Sequence, residues 1–149
     1  MHNYEAVRRI MLATNKLDGV YYLFAKRHSV NENTLAFLYA LSDGQLHSQK
    51  EISDEWIIPR TTINSIVKTM LAEGYIQFAP EQHTKEKNIV LTIKGQQYAD
   101  DLFADIFKAE KKAIAGTLEN FSPEFITALE DFGNRLFDEL QNISREDQN

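Results

Sequence analysis

The sequence predicts a mainly α fold with a small β-hairpin wing: a winged helix-turn-helix with long N- and C-terminal helices. Three observations predict it. Six Gly and three Pro are few breaks for 149 residues, and long stretches repeat apolar residues every three to four positions, which is the helical period. Two short helical stretches meet at a boundary marked by Pro59. Two β-rich runs then follow, separated by the nine polar residues Pro80 to Asn88, as strands of a hairpin would be.

The first helix is expected from about Tyr4 to Arg27. There Ile10, Leu17 and Phe24 recur seven apart with Thr14 and Tyr21 between them, making one stripe. Asn31 supplies a cap for a second helix, Thr34 to Leu41, and Asp43-Gly44 turns the chain. Ser48-Gln49-Lys50-Glu51 reads as a capping box, in which Ser and Glu satisfy each other's orphan amides, and opens a short helix to about Trp56. Beyond Pro59, Thr61 or Thr62 starts a fourth helix carrying Ile63, Ile66, Val67 and Met70, and Gly74 stops it. The runs Tyr75 to Ala79 and Ile89 to Ile93 are the wing strands. Thr92 precedes a long helix, about Lys94 to Ala115, ending near Gly116. Ser122-Pro123-Glu124 combines a cap, a first-turn proline and a dipole-complementing acid, and opens a last helix to about Ile143. The whole chain, 1–149, reads as one domain, with the winged module at about 31–95 and the terminal helices at about 4–27 and 96–143.

Composition excludes several chemistries. The chain has no cysteine, which removes disulfides, thiolate catalysis, iron–sulfur clusters and the common structural zinc sites. The four histidines, His2, His28, His47 and His83, show no metal-ligand spacing, so no metal and no cofactor is expected. Neither a nucleophile elbow nor a phosphate-cradling Gly-rich loop is present, so no enzyme is expected. The start lacks a basic region followed by an apolar run, and no stretch approaches about 18 apolar residues. The expectation is a cytoplasmic protein with no membrane contact.

Net charge is −6, but the deficit is local. Residues 1–46 carry five basic and four acidic groups, residues 47–95 six of each, and residues 96–149 five against twelve. Within residues 60–94 the balance is positive, with Arg60, Lys68, Lys85, Lys87 and Lys94 against Glu73, Glu81 and Glu86. This asymmetry permits a DNA-facing centre.

Three segments, Ser48 to Trp56, Thr61 to Ile76 and Leu91-Thr-Ile-Lys-Gly95, in this order and spacing, resemble the MarR family of bacterial transcriptional regulators. The similarity extends over roughly Val7 to Leu140. The middle segment is similar to the family's recognition helix, and the last to its strand-to-helix Leu-Thr-x-x-Gly junction. The family's wing Asp-x-Arg falls on His83-Thr84-Lys85. The positive position survives, but lysine cannot fork bidentately as arginine does.

If Ile63, Ile66, Val67 and Met70 face the core, Thr61, Thr62, Asn64, Ser65, Lys68 and Thr69 share the outward face. A helix entering the major groove needs such short or flexible hydrogen-bonding groups near its N-terminal half. Asn64 suits adenine, Thr methyls suit thymine, and Lys68 and Arg60 suit phosphate or guanine. Ser48, Gln49 and Lys50 open the preceding helix, where free amides attract phosphate, and Lys85 and Lys87 lie at the wing. Phe125, Leu129, Phe132, Leu136 and Leu140 are spaced 4, 3, 4 and 4 apart, close to a heptad seam. The resemblance implies a homodimer built from the first and last helices, with Ile10 and Leu17 on the former. It also implies a crevice for a small aromatic or phenolic effector, for which Tyr21, Tyr22, Phe24, His28 and Trp56 are candidates. The function these readings predict is a homodimeric repressor that binds palindromic double-stranded DNA and is relieved by a small molecule. The alternative is a winged-helix protein-interaction module that does not read DNA.

Overall fold

The computed structural model describes residues 3–80 and 87–146. Its elements run α1 (Asn3–Arg27), α2 (Glu32–Leu41), β1 (His47–Ser48), α3 (Gln49–Glu55), α4 (Arg60–Ala72), β2 (Ile76–Phe78), β3 (Asn88–Leu91), α5 (Ile93–Leu118) and α6 (Glu124–Glu146). Two compact units divide the chain, Met1–Asp105 and Ile106–Asn149. Among the described residues no helix is long and apolar enough to cross a membrane.

In the first unit the core is built from Phe37 and Leu38 of α2, Ile52 of α3, Ile63 of α4, Ile89 of β3 and Phe103 of α5, all fully buried. The predicted inner face of α4 is the actual one: Ile63, Ile66, Val67 and Met70 are all buried. The three strands form one antiparallel sheet in the order β1-β3-β2, with His47 opposite Ile89 and Phe78 opposite Ile89 on the other edge. The sequence predicts only β2 and β3; β1 is two residues long and carries no periodicity of its own.

The expected caps form. Asn31 accepts from the Asn33 amide and starts α2. The Ser48 hydroxyl accepts from the Glu51 amide at 3.2 Å, while the Glu51 carboxylate accepts from the Ser48 amide at 2.7 Å. This reciprocal pair pulls the Glu51 carboxyl below the usual carboxylate range, the Ser48 backbone N–H being the main cause. Several boundaries differ from expectation: α2 starts at Glu32 rather than Thr34 and α6 runs to Glu146 rather than Ile143, and two further differences have a visible cause. The fourth helix starts at Arg60, because the Pro59 carbonyl accepts from the Thr62 and Ile63 amides and no side-chain cap is needed. Helix α5 runs through Gly116 to Leu118, its hydrogen bonding continuing with the Glu119 amide donating to Ala115. A single helical glycine costs about 0.5–1 kcal/mol and does not by itself end a helix.

Between α4 and α5 two glycines are structurally required. Gly74 has φ +74° and ends α4 in the left-handed region that glycine enters without a Cβ penalty. Gly95 packs directly on Tyr75: a Cβ there would overlap the Tyr75 carbonyl. Thr92 closes the junction. Its hydroxyl donates to the Gly74 carbonyl at 2.6 Å and accepts from the Gly95 amide at 3.0 Å, capping α5. The helix-stop glycine and the Leu-Thr-x-x-Gly segment are thus two halves of one joint.

The terminal helices leave much apolar surface uncovered. On α1 only Ala25 is buried; Ile10 is half-buried and Leu17 is 55% exposed. In the second unit, α6 exposes Phe125, Leu129, Leu136 and Leu140, with Phe132 half-buried.

Candidate nucleic-acid interface

The turn between α3 and α4 sets the interface. The Ser53 hydroxyl donates to the Ile58 carbonyl at 2.6 Å, and the Ile58 amide donates back to the Ser53 carbonyl at 3.1 Å. These bonds fold Trp56-Ile57-Ile58-Pro59 tightly, and Ile57 takes φ +50°. The N-termini of both helices then open into one cleft with the sheet. It has a volume of about 400 Å³ and is lined by Ser48, Gln49, Lys50, Arg60, Ile63, Asn64, Phe78 and Lys87. Six of the predicted DNA-contact residues therefore converge, supplied by three separate stretches of chain. Phe78 and Ile63, expected as a wing-strand residue and a core residue, also form the apolar walls.

The charges of the cleft are partly spoken for. Lys50 Nζ lies 2.9 Å from the Asp54 carboxylate and Arg60 lies 3.9 Å from it. Both cations, Lys50 first, hold the Asp54 carboxyl below its usual range. Lys87 Nζ sits 5.0 Å above the Phe78 ring centre, a cation–π distance that steadies the base of the wing. Ser48 lines the cleft but is only 3% exposed; its hydroxyl serves the α3 cap.

The remaining α4 residues divide between two flanks. Asn64 and Arg60 face the cleft. Thr62, Ser65 and Thr69 line a second recess of about 370 Å³ together with Asn31, Thr34 and Tyr98. Thr61 and Lys68 are exposed. The Ser65 hydroxyl donates to the Thr61 carbonyl and the Thr69 hydroxyl to the Ser65 carbonyl, each at 3.1 Å. Their protons are used within the helix, so in this arrangement they offer only lone pairs outward. Asn64 keeps both an amide donor and a carbonyl acceptor. Lys85, and with it the His83-Thr84-Lys85 segment, lies outside the described residues.

A third recess, about 540 Å³, lies between α1, α2 and the α3–α4 turn. Of the five expected crevice residues it is lined by Tyr21 and Trp56. Tyr22 is 46% exposed and, like Phe24 and His28, is not part of the lining; the Phe24 and His28 rings instead pack on each other at 4.4 Å. The structure adds Tyr39, which joins the other two. Its ring meets Tyr21 edge-on at 6.3 Å, Trp56 at 5.7 Å and the core residue Phe103 at 5.6 Å. Nothing in the sequence pairs an α2 tyrosine with residues 18 positions before it and 17 after it.

No family model matches the sequence, and no curated protein does. Solved structures do match. A MarR family regulator from Neisseria meningitidis superposes with TM-score 0.72 at 19% identity, over 95% of this chain and 98% of that one. The chain has the MarR-family winged-helix fold. A MarR family transcriptional regulator from Silicibacter pomeroyi gives TM-score 0.68 at 13% identity, covering 87% and 93% of the two chains. MarR from Staphylococcus aureus, in complex with salicylate and kanamycin, gives 0.61 at 18%, covering 93% and 92%. In this MarR-type arrangement α3 and α4 are the helix-turn-helix, β2 and β3 the wing strands, and Thr92 with Gly95 the joint to the long α5. That expectation of fold is met along nearly the whole chain.

Proposed function

We propose that the chain is a sequence-specific DNA-binding transcriptional regulator, a homodimeric repressor that binds a palindromic operator and is relieved by a small molecule. The observation that carries this reading is the convergence of Lys50, Arg60, Asn64 and Lys87 on one cleft at the N-terminus of α4. Cations there suit the phosphate backbone, and Asn64, with donor and acceptor on one short side chain, suits an adenine edge. The fold supports it, since α4 projects its polar flank outward from a buried Ile63/Ile66/Val67/Met70 face.

The homodimer is supported by the apolar residues left exposed on α6, which a second copy would cover. Effector relief is supported by the aromatic recess beside the turn into α4. A protein-interaction module is the competing reading, favoured by Asp54, whose carboxylate occupies Lys50 and Arg60. Binding of the full chain to duplex DNA across a salt series separates the two. A regulator loses affinity steeply as salt rises, by about 0.9 in logarithmic slope per phosphate neutralised. Absence of any salt-dependent duplex binding would leave the protein-interaction reading.

A further inference from the structure

We propose that the recess between α1, α2 and the α3–α4 turn is selective for aromatic organic cations over aromatic acids. The inference deepens the effector part of the proposed function, on which its regulatory consequence, but not its binding chemistry, rests.

Three aromatic residues, Tyr21, Tyr39 and Trp56, line the recess together with two carboxylates, Asp18 and Glu32. No Lys, Arg or His is among the lining residues. The rings stand in different planes, with Tyr21 at 84° and Trp56 at 60° to Tyr39. Ring faces carry the negative lobe of the aromatic quadrupole and attract a cation within about 6 Å. Asp18 sits one helical turn before Tyr21 on α1, and Glu32 lies in the first turn of α2. Neither carboxylate takes part in an ion pair among the described residues. A bound cation would meet both negative charges and the aromatic walls. An aromatic carboxylate of the same size would meet the same two charges with no cation to receive it. A volume of about 540 Å³ is in the range of small-molecule sites, about 300–1,000 Å³.

The position links binding to the recognition helix. Trp56 is the C-cap of α3, and Ile58, buried and also lining the recess, receives the Ser53 hydroxyl two residues before α4 begins. A ligand held against Trp56 and Ile58 therefore presses on the turn that aims Arg60 and Asn64.

Trp56 is the sole tryptophan of the chain, so its fluorescence reports this site. The full chain is titrated with benzyltrimethylammonium, phenylacetate and benzyl alcohol, which share one ring and differ in charge, with calorimetry as a second readout. The cation is expected to bind at least about tenfold more tightly than either comparator. The double variant Asp18→Asn, Glu32→Gln is expected to lose that preference while melting as the parent does. Equal or tighter binding of phenylacetate, an undiminished preference in the double variant, or no ligand binding because a second copy covers Trp56 would each overturn the inference. Failure of cation binding beside intact salt-dependent DNA binding rejects this inference alone; the reverse rejects the regulator reading alone.

Discussion

Asp54 holds Lys50 at 2.9 Å, one turn along α3, while the same carboxylate lies 3.9 Å from Arg60 at the start of α4. The two cations best placed for phosphate are thus tethered to one exposed acid. Exposed pairs of this kind are weak, so a duplex can displace the acid, but the acid still opposes the approach of phosphate.

Replacing that acid is expected to strengthen DNA binding. Asp54→Asn should raise affinity for any duplex several-fold at low salt, through ordinary charge attraction, without sharpening sequence preference. The wild type should approach the variant as pH falls. The Asp54 carboxyl titrates below its usual range because Lys50 and Arg60 favour its charged form, so the acid is neutralised only at acidic pH. Fluorescence anisotropy at several pH values checks this; equal affinity of both proteins at pH 7 would contradict it.

Asn64→Ala should cost about 1–3 kcal/mol on the preferred site and relax preference at one base pair. Lys68→Ala should weaken all sequences and lower the salt slope by about 0.9. Ser65→Ala should cost less than Asn64→Ala, because the Ser65 hydroxyl already donates to the Thr61 carbonyl. Binding-site selection with each variant measures the three effects, and an Ser65→Ala loss exceeding that of Asn64→Ala would reverse the ranking.

Gly95→Ala should destabilise the first unit by about 1–3 kcal/mol or more, since the new Cβ would overlap the Tyr75 backbone and α5 would have to shift. Thr92→Val, which keeps the shape but loses the cap, should cost about 1 kcal/mol. Urea unfolding monitored by circular dichroism gives both numbers, and a neutral Gly95→Ala would refute the packing assigned to the joint.

Ile57→Gly should stabilise the protein. Ile57 holds φ +50° while 75% exposed, a conformation that costs an L-residue about 1–2 kcal/mol. Little buried surface is lost on truncation. The greater freedom of glycine in the unfolded chain returns about 0.5–1 kcal/mol of that gain, leaving a net stabilisation of up to about 1.5 kcal/mol. A lower urea midpoint in the variant would mean that the Ile57 side chain is held by something it touches.

Local chemistry made most of the fold legible in the sequence. Asn31, the Ser48/Glu51 box and Gly74 are caps and stops whose partners lie within a few residues, and the inner face of α4 follows from spacing alone. Features that depend on long-range pairing were not legible. Strand β1 exists because β3 offers it an edge, and Tyr39 reaches the recess only because α1 and the α3–α4 turn pack on either side of α2. Tyr22 fell outside the recess for the converse reason: it is one position, about 100° around the helix, from Tyr21. The cleft lies between these cases. Its residue types were readable, and Lys50 and Asp54 have the spacing of a helical pair, whereas the reach of the same acid across the turn to Arg60 was not readable.

Hydroxyl-radical footprinting of the full chain on duplex DNA from upstream of its own coding sequence tests the central claim most directly. A two-fold symmetric regulator places its recognition helices about 34–36 Å apart. The expected pattern is two protected patches one helical turn apart on a palindrome, both weakened in Asn64→Ala. Uniform protection without position, or no protection at low salt, would contradict a homodimer that reads DNA through α4.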